Sequence, residues 1–385
     1  MKKMFSRGVS AFSLAALCSW SGAGHAAQDV VFGQVASQTN PASAGNAKGL
    51  AMGIQVYFDK VNANGGIAGN KLKLLTLDDS LQGPKMVELT QQLIEDKSIA
   101  GLLGFLNSAG LAEIARQELP AKAGIALIAP LQGDKNVIAA GNVFPLRSGY
   151  ADEVSALLKE AKNWGKDTIA IVNMNIAFGP GLAQVATQLS EAAGIKVVAH
   201  PVLDATAPDK LDASVKAAVA SITESKPKAM LVLAAGKPAG DFIKAVRDAS
   251  GGMVQIYGVS VLLHDVLVQS IGAPKARGIV LSQAVPYPFV PSKPVITEFQ
   301  ADMKKFAPAE PISFSSLEGY LGAKIAAEAV RRAGSNPTRA SVLAALSSLG
   351  DYNLGGIFVS YGPNQRRGWG GVDLSIINAS GVLQK

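Results

Sequence analysis

Cysteine is almost missing from this chain: Cys18 is the single one in 385 residues. A lone thiol forms no intrachain disulfide and builds no thiolate metal cluster. Histidine is nearly as scarce, at His25, His200 and His264. None of them stands in an H-E-x-x-H or comparable metal spacing, and no G-x-S-x-G elbow occurs. There is no G-x-G-x-x-G with a trailing acid on a first strand, which speaks against a dinucleotide cofactor, and no cofactor is expected. Lysine and arginine exceed aspartate and glutamate by 36 to 29, yet no basic run is interleaved with aromatics, which supply only 6% of the chain. A nucleic-acid partner is therefore not expected. No segment reaches membrane-spanning length without a charge or a break. Together these absences leave no catalytic constellation, and the chain reads as a binding protein and not an enzyme.

What is present begins at the N-terminus. Lys2, Lys3 and Arg7 precede the apolar stretch Val9–Leu17, and no acidic residue comes before Asp29. Small residues then lead to Gly24-His25-Ala26-Ala27. This is the three-part pattern of a cleaved secretory signal over residues 1–26, too short to span a bilayer. Leu17 stands where lipoprotein processing needs a small residue before Cys18, so a soluble, periplasmic mature protein is expected. Loss of the signal removes the only cysteine and lowers the formal net charge from +7.

Beyond it, short apolar runs alternate with amphipathic stretches. The pattern predicts strands at Val30–Val35, Lys71–Leu77, Ile99–Leu103 and Ile125–Ile128, with helices at Gly49–Val61, Met86–Ile94 and Leu111–Glu118. The rhythm restarts after Arg147, with strands at Thr168–Val172, Lys196–Val202, Ala229–Leu233 and Val254–Gly258. Such alternation means an α/β fold of parallel sheets covered by helices on both faces. A third portion follows the proline-rich Val285-Pro286-Tyr287-Pro288. It carries a long helix from Leu317 to Ala333, a polar stretch 362–371 and a last strand near Leu374–Ile377. Two lobes are expected: residues 27–146 with about 286–366, and 147–285 with about 367–385. A tail shared in this way makes the connections a hinge and puts a ligand in the cleft between lobes.

The segment Val61-Asn62-Ala63-Asn64-Gly65-Gly66-Ile67-Ala68-Gly69, leading into a strand that ends Leu77-Asp78-Asp79, resembles the periplasmic leucine/isoleucine/valine-binding protein family. Leu103-Gly104 followed by Ser108, Ile128-Ala129-Pro130, Phe178-Gly179 and Tyr320 in a long C-terminal helix extend the likeness over the mature chain. The resemblance implies a type I periplasmic-binding fold with two Rossmann-like lobes and three crossings. It implies a monomer that clamps a small molecule on closure and delivers it to the permease subunits of an ABC transporter. A sensory subunit that presents its ligand to a membrane receptor would share this fold.

Several residues are candidates for ligand contact. Ser108 begins a helix after a strand end, where free amides favour a carboxylate. It is either a ligand donor, assisted by the amides of Ala109 and Gly110, or a plain N-cap. By resemblance Leu131, Gln132 and Gly133 face the cleft, although Gln132 and Gly133 replace a small residue and a threonine. Phe178 takes the place of an aromatic that closes over the ligand. The family's tyrosine for a ligand ammonium falls near Gly236-Lys237, and its carboxylate falls on Ser260. Neither group is present, which points to a ligand without an α-ammonium, such as an aromatic or keto acid. Glu318 and Asp204 are the acids that would otherwise substitute. Lys237 either pairs with a ligand carboxylate or lies on the surface. Arg147, with Tyr150 beside it, either clamps an acidic ligand or braces the hinge. Tyr287 either lines the cleft edge or serves its proline-flanked connector.

Overall fold

The computed structural model describes Met1 and residues 29–385, apart from 41, 42, 176, 253 and 364. The segment expected to be a secretory signal, with Cys18, therefore lies outside the described residues. The first sheet contains β1 (Asp29–Val35), β2 (Lys71–Leu77), β3 (Ile99–Leu103), β4 (Leu127–Ile128) and β5 (Val143–Phe144). Its order is β2-β1-β3-β4-β5, and every pairing is parallel. The second half of the chain supplies β6 (Thr168–Met174), β7 (Lys196–Ala199), β8 (Val202–Leu203), β9 (Ala229–Leu233), β10 (Gln255–Gly258) and β11 (Val280–Gln283). The apolar runs Ile-Ala-Gly-Leu-Leu of β3 and Ala-Met-Leu-Val-Leu of β9 are buried throughout. Runs of that kind belong to strands covered on both faces, because crossover helices pack on either side of a parallel sheet.

The structure departs from the sequence expectations in several places, three of which reshape the sheets. The strand expected over Lys196–Val202 is split into β7 and β8 at His200-Pro201; Pro201 has no N–H to donate to a ladder, while its carbonyl accepts from Asn173 N. A small antiparallel sheet forms from β12 (Gly350–Asn353), β13 (Phe358–Gly362) and β14 (Gln365–Arg367), where no strand was predicted. Finally, β15 (Asp373–Ile377) and β16 (Leu383–Gln384) extend the second sheet antiparallel, giving the order β16-β15-β11-β10-β9-β6-β7 with β8 beside β6.

The long helix Phe314–Ala333 returns to the first sheet and lies against the helix Ala44–Ala63. Glycine lets the two backbones touch. A Cβ at Gly53 would overlap the carbonyl oxygen of Ser316, and one at Gly319 would overlap that of Leu50. This contact fixes Asn46 near the start of the first helix beside Ser315 on the second, whose hydroxyl donates to Asn46 Oδ1 at 2.6 Å.

The chain passes between the sheets three times, after β5, after β11 and before β15. The first and third passages lie side by side. Trp369 N donates to Leu146 O at 2.7 Å, Ser148 Oγ to Gly371 O at 2.6 Å, and Tyr361 OH to Pro145 O at 2.7 Å. The second is tied down by Tyr287, whose hydroxyl donates to Leu383 O at 2.6 Å.

Candidate functional site

A cleft of about 230 Å³ opens where the carboxyl ends of the two sheets face each other. From the first lobe it is lined by Ser43, Asn46, Leu81, Leu106, Asn107, Ser108, Ala109 and Leu131. Tyr150, Met174, Ala177, Phe178, Ala235 and Val261 supply the opposite wall. Carboxyl ends of parallel strands are where helix N-termini collect. Five helices start at this lining: Ala44–Ala63, Ser108–Arg116, Tyr150–Asn163, Gly179–Ala192 and Gly236–Ser250. Each presents roughly half a positive charge at its first turn. Among the described residues lining the cleft, none carries a charged side chain.

Polar groups cluster at the first-lobe end. The Ser108 hydroxyl has no hydrogen-bond partner among the described residues, and neither has Asn46 Nδ2. Below them Asn107 is locked. Its Nδ2 donates to Asp79 Oδ2 at 2.7 Å, and its Oδ1 accepts from Ala109 N at 3.1 Å and Gly110 N at 3.3 Å. Asn107 is thus the N-cap, which leaves the Ser108 hydroxyl unemployed. At the other end Tyr150 and Phe178 pack with ring centroids 5.2 Å apart, beside Met174 and Val261. Burial pushes the Tyr150 phenol well above its ordinary range, so the group stays neutral.

Of the residues singled out from sequence, Ser108, Ala109, Leu131, Tyr150 and Phe178 line this cleft. The structure gives the following surroundings to the backbone amides and to the remaining candidates. The amides of Ala109 and Gly110 are already claimed by Asn107, and Gly110 is buried against Met86. Gln132 is buried and folds back, its Oε1 accepting from Gly133 N and Asp134 N. Gly133 serves packing, since a Cβ there would press into the Tyr150 ring. Gly236 borders a smaller neighbouring cavity with Asn46 and Val261. Lys237 is exposed and pairs along its own helix with Asp241 at 2.6 Å. Tyr287 is a buried connector, edge-on to Phe289 and Phe314. Asp204 closes a local turn onto Thr206.

Arg147 and Ser260 belong to a buried ionic cluster just behind the second wall. Arg147 Nη2 donates to Ser260 Oγ at 2.7 Å, and its Nε lies 3.3 Å from Glu318 Oε1. Glu153 accepts from Ser260 N at 2.8 Å, Ser260 Oγ at 3.0 Å and Ser282 Oγ at 2.6 Å. Burial pushes the Glu318 carboxyl up, against the opposing pull of the Arg147 guanidinium. The guanidinium carbon is 6.0 Å from the Tyr150 ring centroid, so one aromatic separates this cluster from the cleft.

The described histidines take no part. His200 interrupts a strand pair, and His264 packs edge-on to Phe289. Sequence reasoning missed Ser43, Asn46 and Asn107. Asn107 did carry a signal, because asparagine caps a helix as well as serine does and stands one residue earlier.

A periplasmic binding protein family model matches residues 29–374. The chain belongs to that family. A Brucella suis protein named Leu/Ile/Val-binding protein homolog 7 is 26% identical over 370 residues, covering 91% of this chain and 88% of that one. A Pseudomonas aeruginosa "Amino acid binding protein" is 25% identical, with 88% of each covered. A substrate-binding periplasmic protein from Ralstonia solanacearum superposes with a TM-score of 0.85 at 27% identity, over 92% of this chain and 99% of that one. The fold is accordingly the type I periplasmic-binding fold expected from the sequence. The family is one of solute-binding proteins that work with ABC-transporter permeases. Among the described residues no helix is long and apolar enough to cross a membrane.

Proposed function

We propose that this chain is the periplasmic capture component of a branched-chain-amino-acid-type ABC importer whose ligand is a small monocarboxylate with an apolar, aromatic or keto-acid body. The observation that carries this reading is the convergence of five helix N-termini on a cleft whose described lining has no charged side chain. Such a site favours an anion and offers nothing to neutralise a cation. The carboxylate would sit at Ser108 and Asn46, and the body would lie between Leu131, Tyr150 and Phe178. Closure of the lobes would then remove both from water, by as much as the ligand prefers the closed state.

A branched-chain amino acid is the second reading, favoured by the names of relatives such as the Brucella suis protein. The two separate in one experiment. The mature protein, unfolded and refolded to strip carried ligand, is titrated with leucine, valine, and aliphatic, keto and aromatic carboxylates while its melting temperature is followed. Only the non-amino carboxylates are expected to raise it. A shift by leucine or valine alone would sink the carboxylate reading. Ser108→Ala, run beside the wild type, should lose about 1–3 kcal/mol of carboxylate binding with normal folding. Unchanged affinity would remove Ser108 from the site.

A further inference from the structure

We infer that Arg147 is the residue that excludes α-ammonium ligands from the cleft: its guanidinium is a built-in cation standing against the acidic group such a ligand would need. The inference rests on the carboxylate reading and extends it to a specificity determinant.

Three carboxylates stand close behind the walls of the cleft. Asp79 is saturated from below by Ser37 Oγ, Asn107 Nδ2 and Leu81 N. The other two come from helices in different lobes: Glu318 Oε1 lies 3.3 Å from Arg147 Nε, and Glu153 is linked to Arg147 only through the Ser260 hydroxyl. Arg147, Glu153 and Glu318 are 4%, 0% and 2% exposed, so none can turn to water for compensation. The guanidinium is ion-paired with Glu318 while Ser260 and Ser282 satisfy Glu153, so an ammonium entering the second lobe would compete with Arg147 for the Glu318 carboxylate. A guanidinium tethered to the chain needs no translational entropy to stay there, whereas a ligand cation does.

The cluster also adjoins the cleft at two points. Tyr150 forms the wall in front of Arg147, and Val261, directly after Ser260, lines the cleft beside it. Truncating Arg147 therefore opens space toward the cleft and leaves two buried anions short of a cation. An ammonium placed at the Tyr150 end of a bound amino acid would supply that cation.

The test uses two matched pairs, 4-methylpentanoate with leucine and 3-phenylpropanoate with phenylalanine, titrated calorimetrically into stripped wild type, Arg147→Ala and Arg147→Lys. The readout is the ratio of dissociation constants within a pair, which a merely structural role would leave alone. The wild type is expected to prefer the deamino acid. In Arg147→Ala the ratio should move toward the amino acid by at least about tenfold. Arg147→Lys, which keeps a tethered cation, should hold the wild-type ratio. If Arg147→Ala does not fold, Arg147→Ala/Glu318→Gln removes one carboxylate together with the guanidinium and is read in the same way. A folded variant with an unaltered ratio overturns the role of Arg147 and leaves the carboxylate reading standing. A wild type that binds leucine or phenylalanine as tightly as its deamino partner, or neither member of either pair, overturns both.

Discussion

A carboxyl group sealed from water destabilises the fold whenever it is ionised without full compensation. Glu318 is in that position, since among the described residues its one guanidinium partner, Arg147, is also linked to Glu153 through Ser260. Its folded-state pKa is raised by burial. The sign follows: a raised carboxyl contributes stability that is fully present below the unfolded-state value and is lost as pH rises through the folded one. Glu318→Gln does not titrate there. Wild-type stability measured against Glu318→Gln by urea unfolding should therefore improve as pH falls from neutral. A difference that is flat, or that runs the other way, would mean that Arg147 compensates Glu318 fully. The sequence disclosed single side chains unevenly. Ser108 and Phe178 were legible because helix starts after strand ends have one location in an α/β lobe. Glu153 and Ser282 were not, because they join Arg147 only through the meeting of segments more than a hundred residues apart in sequence.

Between elements, glycine does the positioning. The helices Ala44–Ala63 and Phe314–Ala333 approach until backbone meets backbone at Gly53 and Gly319. A methyl group at Gly53 has nowhere to go but into the Ser316 carbonyl, and the helices must part. Gly53→Ala should cost about 1–3 kcal/mol in urea unfolding, as overpacking does. Gly181→Ala is the control. Gly181 lies inside a helix with open space around it, so the same change there should be neutral or mildly stabilising. Equal effects at the two sites would show that Gly53 is not a contact point. Those glycines also explain why the first helix was read too short from sequence. Gly45, Gly49 and Gly53 dilute its apolar periodicity, so the sequence pattern starts the helix at residue 49 and leaves out Ser43 and Asn46. Residues 350–367 were missed for a related reason. Their strands are short and mostly part-exposed, and Gly355-Gly356 and Gly362 punctuate them like a loop.

At the scale of the whole molecule, the two-sheet plan was readable because β3 and β9 are too continuously apolar to be anything but covered strands. The antiparallel ending was not readable, because a strand's period carries no record of its direction. That ending matters for integrity. Leu383 and Ile377 are buried, Val280 of β11 pairs with Ile376, and Tyr287 in the second passage donates to Leu383 O. Deleting residues 373–385 should therefore unpair one side of β11 and free Tyr287. Hydrogen exchange should then show lost protection over β10 and β11, with β1 to β4 keeping theirs. Uniform loss across both sheets would mean that the lobes do not unfold separately.

The same arrangement bears on how the polypeptide is made. The antiparallel partner of β11 follows it by about 90 residues in the chain. Until that partner docks, β11 is an open sheet edge able to pair with a second unfinished chain. Residues 373–377 therefore act as the closing stitch, in whichever compartment the chain folds.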